Sequence, residues 1–424
     1  MMEKKKLQTE IIAGLTTFFT MSYIVVVNPS ILATTGTGIT FSGALTATVL
    51  VCFSMTLLMG IYANLPFGVA PGMGINAFFT YSVVLGGGVP WPVALGMVFW
   101  SGILFLIASV TPLRQMIALA IPKQLRIAVA VGIGLFLTFI GLKNAGIIVA
   151  NPATLVTLGT LGEPTLLFIL GLLISIILLR FKSPFAFLAG IFAVTLLAWY
   201  RGLTSVPPTL VSSPDFNSVF FKLDFVGAIK LAFLPTIVSL FFTDLFDSLS
   251  TFIGVSHASG MLDENDQPKN LREGLIVDAF ATTVAGLFGS SSGTAYIESA
   301  AGVEVGGRTG ITAIVTALCF VPCLFIAPLA GTVPPFATAP VLVLVGAMMF
   351  RSVSELTMAK LEDVVPAFLI IALIPLTFSI TQGILWGLIS HVALYVLTGR
   401  RKDVRPLMYI LAGISIALII VGHT

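Results

Sequence analysis

LFGSSSGTAYIESAAG, Leu287 to Gly302, interrupts an apolar chain with three serines in a row, glycines at 289, 293 and 302, and one carboxylate, Glu298. Glycine weakens a helix interior by roughly 1 kcal/mol relative to alanine. Backbone that leaves the helix cannot face lipid, because its polar groups would go unpaired; it must be buried in protein or line a wet cavity. Lipid is the relevant surrounding here. Charged residues are 9% of the 424-residue chain and the nine apolar types are 57%, against roughly a quarter charged in a soluble domain. Runs of about 17–25 apolar residues follow one another, each long enough to cross a bilayer core as a helix. They are continuous rather than short and alternating, which argues against a β-barrel. The expected fold is an all-α polytopic membrane protein with an interrupted segment at 287–302.

A second stretch has the same character. PFGVAPGMGINAFF (66–79) is short, glycine-rich and punctuated by proline. Phe67-Gly68 recurs as Phe288-Gly289 and Gly72 as Gly293, both at an offset of 221; Phe18-Phe19-Thr20 recurs as Phe241-Phe242-Thr243 at 223. Paired interruptions at matching places in two halves mark the binding site of many secondary transporters. This divides the chain into a first repeat at 1–200, a linker at 201–229 containing Pro207, Pro208 and Pro214, and a second repeat at 230–424. The halves begin with an odd-numbered and an even-numbered apolar run, so their orientations are opposite. Fifteen runs lie between residues 10 and 422. The odd one is either the last, 405–422, or half of a broken pair within 363–398.

Positive charge orients the threading. With the N-terminus inside, the inside loops hold Arg114, Lys123 and Arg126; Arg180 and Lys182; Lys269 and Arg272; Arg308; Arg351 and Lys360; and Arg400, Arg401, Lys402 and Arg405. The outside loops 29–42, 86–90 and 331–337 carry no charge. Lys143, Arg201 and Lys222 are exceptions, yet the balance follows the positive-inside rule. MMEKKKLQTE then reads as a short cytoplasmic tail, too polar for a cleaved signal. The net charge of +3 reports orientation, not a nucleic-acid partner. Cys52, Cys319 and Cys323 fall in apolar runs and read as small buried hydrophobes.

The chemistry concentrates in FFTDLFDSLST (241–251). Asp244 and Asp247 are three apart, hence on one helix face. Thr236, Ser239, Thr243, Asp247, Thr251 and Gly254 step by three or four and form a polar stripe. A charge at the bilayer centre costs at least roughly 2–3 kcal/mol, so such acids mark a cavity, a proton relay or a pair. The plain alternative is a hydrogen-bonded strut between helices. Glu298, in the second interruption, is either protonated or matched to a donor. Asn76, in the first, offers donors and an acceptor on one flat amide, with capping of broken backbone as its plain reading. Gly72 and Gly74 let backbone approach a ligand closely. Phe78, Phe79, Phe242, Phe246 and Tyr296 supply aromatic faces, each on its own as readily a packing residue.

Other polar residues have plain readings. Glu304 pairs with Arg308 four positions on. Asp278 and Asp363 sit near helix starts that favour acids. His257 ends a helix, His391 packs in an apolar one, and Lys143 snorkels to the interface. There is no GxxxxGK[ST] loop and no metal-ligand spacing. Neither ATP-driven transport, nor a metal, nor a cofactor, nor an enzymatic activity is expected.

Four motifs in order, GLTTFFTMSYIVVVNP (14–29), APGMGINAFF (70–79), FFTDLFDSLST (241–251) and YIESAAGVEVGGRTG (296–310), resemble the adenine/guanine/hypoxanthine permease branch of the nucleobase–cation symporter (xanthine/uracil permease) family, over nearly the whole chain. The resemblance implies about fourteen transmembrane segments in two inverted seven-segment repeats, a core and a gate domain, and short strands paired at broken segments 3 and 10. It implies a purine base held by Asp244 and Glu298 and contacted by Asn76 and Gly74, with Asp247 supporting the site. Tyr296 and Phe242 complete the expected binding set, and Glu298, Asp244 and Asp247 the expected proton-coupling set. Import by proton symport through an elevator-like movement is implied, in the plasma or inner membrane with the N-terminus cytoplasmic. Partners are then the base, protons, the bilayer and, as a further expectation, a second copy of the chain in a homodimer. Two other classes stay open. A sulfate-type anion transporter of similar fold would want a positive site, and no Lys or Arg lies in the interruptions. An intramembrane aspartyl protease would need a GxGD-type motif, which is absent.

Overall fold

Helices form along the apolar runs and stop where asparagine, glycine or proline intervenes. The computed structural model describes residues 2–112, 121–262, 268–356 and 359–422; Arg114 lies outside them. In the first half, α1 (Met2–Met21) and α2 (Ile24–Leu32) make one span broken at Ser22 and Tyr23. Then α3 (Phe41–Leu58) continues through a wider turn, Met59–Ala63, and ends at Asn64 in the left-handed conformation, φ 51°. The interruption follows: β1 (Val69–Ala70), then α4 (Met73–Ala77), which widens into Phe78–Gly86. Beyond it come α5 (Trp91–Val110), α6 (Lys123–Asn144), a hairpin of β2 (Ile148–Asn151) and β3 (Leu155–Leu158), α7 (Glu163–Arg180) and α8 (Ala186–Tyr200).

The second half opens with α9 (Leu234–Ser259) and α10 (Leu271–Phe288). Gly289, at φ 97°, ends α10, and a Cβ there would lie 2.6 Å from Val219 Cγ2. The second interruption is β4 (Thr294–Ala295) and α11 (Ser299–Val305). After it run α12 (Gly310–Phe320), α13 (Pro335–Phe350), α14 (Leu361–Thr377), α15 (Ile380–Leu397) and α16 (Pro406–Gly422).

The two interruptions meet. β1 and β4 pair antiparallel, Val69 opposite Ala295 and Ala70 opposite Thr294. Short strands at these two places are what the resemblance implied. The register between the halves differs from the sequence match, however. Asn64 corresponds to Gly289 and β1 to β4 at an offset of 225 rather than 221. The repeated Phe-Gly is misleading. Gly289 terminates a helix, whereas Gly68 is already in the extended stretch, where its amide donates to Ser299 Oγ at 3.0 Å and a Cβ would strike Met21 Sδ at 2.3 Å.

Packing sorts the helices into two groups. α1, α2, α3, α5, α9, α10, α11 and α12 contact one another; so do α6, α7, α8, α13, α14, α15 and α16. The groups touch where α4, packed on α2 and α9 of the first, lies on α6, where α9 lies on α6, α15 and α16, and where α1 meets α8 and α2 meets α13. At the end of the bundle carrying the N-terminus, buried Glu10 accepts from the amides of Arg308 and Thr309, and Asn270 Nδ2 donates to the Ala63 carbonyl at 2.9 Å. The expected Glu304–Arg308 pair does not form. Glu304 reaches Lys182 at 3.2 Å, and the Arg308 guanidinium turns back to the carbonyls of Val303 and Gly307 as α11 closes. At the opposite end Asp215 accepts from Ser42 and Ser218, and Lys143 lies over the Tyr81 ring, 5.3 Å from its centroid.

Eight helical stretches among the described residues are long and apolar enough to cross a bilayer by length and composition. Shorter apolar helices, including 73–86, 186–200, 310–325 and 406–420, add to them. The two runs within 363–398 are α14 and α15, a hairpin turning at Phe378 (φ 52°), whose ring packs edge-on against Phe136 and Phe139. Cys52 is buried while Cys319 and Cys323 are only partly so, and all three are free.

Candidate functional site

Around the β1–β4 pair, two helices present acids to the second interruption, which carries Glu298 of its own. Asp244 and Ser248 come from α9, one turn apart; Asp278 and Thr282 come from α10 with the same spacing. Both pairs therefore lie on helix faces turned to one place. Asp278 Oδ1 accepts the Ala295 amide at 2.6 Å, and its other oxygen accepts the Ser248 hydroxyl. Thr282 donates to Asp244 Oδ2 at 2.5 Å and accepts the Gly293 amide at 3.2 Å. Ser248 and Thr294 hydroxyls are 3.1 Å apart. A broken segment exposes backbone that must be paired somewhere, and here Asp278 and Thr282 of α10 do the pairing, with Ser248 and Asp244 of α9 bonded to their side chains.

Glu298 immediately precedes α11. Its Oε1 accepts the Tyr23 hydroxyl at 2.5 Å, across the break between α1 and α2. Asp247 lies on α9, which packs against α11, and no hydrogen bond to it is found among the described residues. Asp244 and Asp278 are buried, whereas Asp247 and Glu298 keep partial exposure. Ile297 beside Glu298 is 52% exposed. Among the described residues no ion pair reaches Asp244, Asp247, Asp278 or Glu298. Four carboxyl groups thus share one region without a basic partner.

The first interruption contributes neutral groups. Asn76 is fully buried; its Oδ1 accepts the Ser291 hydroxyl at 2.5 Å, and its Nδ2 has no partner. Asp244 Oδ1 is likewise buried and unpartnered. Orphan donors and acceptors therefore remain in and beside the site, the Thr243 and Ser239 hydroxyls of α9 and Asn28 Oδ1 among them. A buried polar group without a partner costs roughly 1–3 kcal/mol, so Asn76 Nδ2 and Asp244 Oδ1 each have a hydrogen bond left to make. Gly74 faces α6: a Cβ there would sit 2.3 Å from Ile133 Cγ2. The glycine makes room for the helix of the other group. Tyr296 is a staple, its amide donating to the Gly68 carbonyl at 2.9 Å and its hydroxyl to the Pro71 carbonyl at 2.5 Å. Phe242 stacks on Phe246 with centroids 5.8 Å apart, both nearly buried.

The expected residues Asp244, Asp247 and Glu298 thus converge on the second interruption, with Tyr296 inside it, and Asn76 is tied to it through Ser291. Two participants escaped sequence reasoning. Asp278 reads from sequence as an acid near a helix start, yet it is two turns in, fully buried, and holds the β4 backbone. Its spacing of four from Thr282 within an apolar run was the available signal. Tyr23 carried none, being one hydroxyl in an apolar motif. Asp363, given a helix-start reading, accepts the Tyr395 hydroxyl at 2.5 Å and lies in the other helix group.

A many-spanning bundle with two interruptions meeting at buried acids is a membrane transporter's architecture. Residues 8–386 match the family described as "Permease family", and the chain belongs to that family, the xanthine/uracil permeases. It is 41% identical over 420 residues to adenine permease AdeP of Escherichia coli (strain K12), covering 97% of this chain and 93% of that protein. To guanine/hypoxanthine permease PbuO of Bacillus subtilis (strain 168) it is 40% identical over 425 residues, covering 97% and 96%. The transmembrane domain of a cyanobacterium bicarbonate transporter, BicA, shares the fold, with a TM-score of 0.65 at 17% identity over 90% of this chain and 97% of that one.

Proposed function

We propose that this permease imports a purine nucleobase, adenine, guanine or hypoxanthine, by proton symport across the plasma or inner membrane, with its N-terminus cytoplasmic. The observation carrying the reading is the pair of orphans, Asn76 Nδ2 and Asp244 Oδ1, beside four acids without a cation. A purine is flat and neutral overall, with N–H donors and ring-nitrogen acceptors on its edge. A carboxylate accepts such N–H groups, and an amide donates to a ring nitrogen. Asp244 and Glu298 would hold the base, Asn76 and the backbone at Gly74 would contact it, and Phe242 and Tyr296 would border the ring. The names of the relatives support purine as the substrate class.

Coupling follows from charge. An unpaired carboxylate crossing the bilayer interior is costly. A proton taken up by Glu298, Asp244 or Asp247 with the base would neutralise the site and make the loaded state the mobile one. In this reading α1–α5 and α9–α12 form a core, and α6–α8 and α13–α16 a gate. The core carries the site past α6 along the face where Gly74 meets Ile133. Each group draws on two inverted repeats, 1–200 and 230–424, giving about fourteen segments. A thermal-shift screen of the purified protein against purines, pyrimidines and sulfate tests the substrate class. Stabilisation by at least one of the three purines is expected, with none by sulfate; the reverse result would sink the proposal.

A further inference from the structure

Away from the acidic junction, at the end of the bundle that carries the N-terminus, the second helix group borders a half-open cavity of about 430 Å³. Its polar lining is built from the first turn of α6 (Lys123, Arg126), the last turns of α15 (His391, Tyr395), and the segment leading into α16 (Arg400, Arg405). Four cations face it with one acid, Asp403. Lys123 is paired with Glu355 at 2.8 Å, and Arg400 with Glu362 at 2.6 Å and Asp403 at 2.9 Å. Arg400 also lies over the Tyr395 ring, 4.7 Å from its centroid, which fixes its plane. Arg126 and Arg405 have no ion pair among the described residues. Arg126 is partly buried, and its Nε, shielded from solvent, has no hydrogen-bond partner. A desolvated guanidinium N–H without an acceptor is unfavourable, and the fork geometry of arginine matches a phosphate.

We propose that this cavity binds a phosphate-bearing anion, received by Arg126 and Arg405 while Arg400 is held in place by its acids and by Tyr395. The rim favours a phospholipid headgroup as the source. Leu361, next to Glu362, is 68% exposed, and Leu397, three residues before Arg400, is 80% exposed. Ile121, Val404 and Met408 add an apolar wall. An apolar border around a basic hollow at a helix end is where an anionic headgroup would sit with its chains in the bilayer. The site lies wholly in α6, α15 and α16 and their flanks, so it touches none of the groups assigned to the base.

The test uses the full chain purified in neutral detergent, titrated with mixed micelles of phosphatidylglycerol or phosphatidylcholine, or with inorganic phosphate. The readouts are the thermal midpoint and lipid retained in native mass spectrometry. Phosphatidylglycerol should stabilise and be retained where phosphatidylcholine is not. Arg126→Gln and Arg405→Gln should each weaken the apparent affinity about fivefold, as expected of roughly one surface cation's attraction. Arg405 is exposed, so its variant tests the site even if Arg126→Gln folds poorly. Arginine-dependent stabilisation by inorganic phosphate alone would support the site with a soluble phosphate as its occupant. Phosphatidylglycerol binding that survives in the double variant, or no arginine-dependent response to either phosphate source, would overturn it.

Discussion

The two interruptions are built alike and equipped differently. Each follows a helix ended by a left-handed residue, runs through a two-residue strand, and starts a short helix. The first carries no charge: its polar group is Asn76, its terminator Asn64, and its close approach to α6 depends on Gly74. The second carries Glu298 and is held by acids and hydroxyls of α9 and α10, through Asp278, Thr282 and Ser248. In the proposed reading, the difference separates two tasks. The neutral arm can shape and orient a ligand. The acidic arm can also change its charge, which is what coupling to an ion requires.

Exchanging the arms' chemistry should produce the largest effect. Glu298→Gln should lower gradient-driven uptake by about 100-fold or more, the equivalent of about 3 kcal/mol. Asn76→Ala should instead raise KM by roughly tenfold, one hydrogen bond's worth, and keep the dependence on the pH gradient. Radiolabelled uptake at several gradients distinguishes the two, and equal effects of both variants would break the contrast. Asp278→Ala should come next. It leaves the Ala295 amide and Ser248 without their acceptor, at a cost of roughly 1–3 kcal/mol, read as a lower thermal midpoint and lost base binding. Gly74→Ala should slow transport with little change in binding, because overpacking against Ile133 costs about 1–3 kcal/mol. Ile133→Ala should restore the rate; a rate unaffected by Gly74→Ala would remove that face from the mechanism.

How much of this could be read from the sequence depended on the residue. Asp244, Asp247 and Glu298 stood out because a carboxylate within an apolar run has few explanations. The interruptions stood out because glycine, proline and serine clusters cannot be lipid-facing helix. Asp278 did not, since an acid within two turns of a helix start has an ordinary reading, and only the fold brings Ala295 to it. Tyr23 became visible only once the α1–α2 break lay beside α11. The register failed by four residues because Phe-Gly is a packing feature at 67–68 and a helix stop at 288–289. Glu304 and Arg308 had the right spacing, but α11 ends between them and each finds another partner.

The smallest effect lies far from both arms. Partial burial favours the neutral form of Asp215, but hydrogen bonds from the Ser218 and Ser42 hydroxyls and from the Asn217 and Ser218 amides outweigh it and hold the carboxyl below its ordinary range. An acid so depressed stabilises the fold above its unfolded value and loses that contribution as pH falls through the folded one. Protection at Asn217 and Ser218, taken as the exchange rate relative to the intrinsic rate at each pH, should thus hold at neutral pH and be lost below about pH 4. Protection lost on the alkaline side and kept in acid would contradict this sign.

One experiment bears most directly on acids without cations as the seat of coupling. Proteoliposomes holding the wild type, Asp244→Asn or Glu298→Gln are given labelled adenine, guanine or hypoxanthine under an imposed pH gradient, with and without a sodium gradient. The account predicts accumulation by the wild type in response to the pH gradient alone and none by either variant. Accumulation that persists in the variants, or that follows sodium and ignores protons, would contradict it.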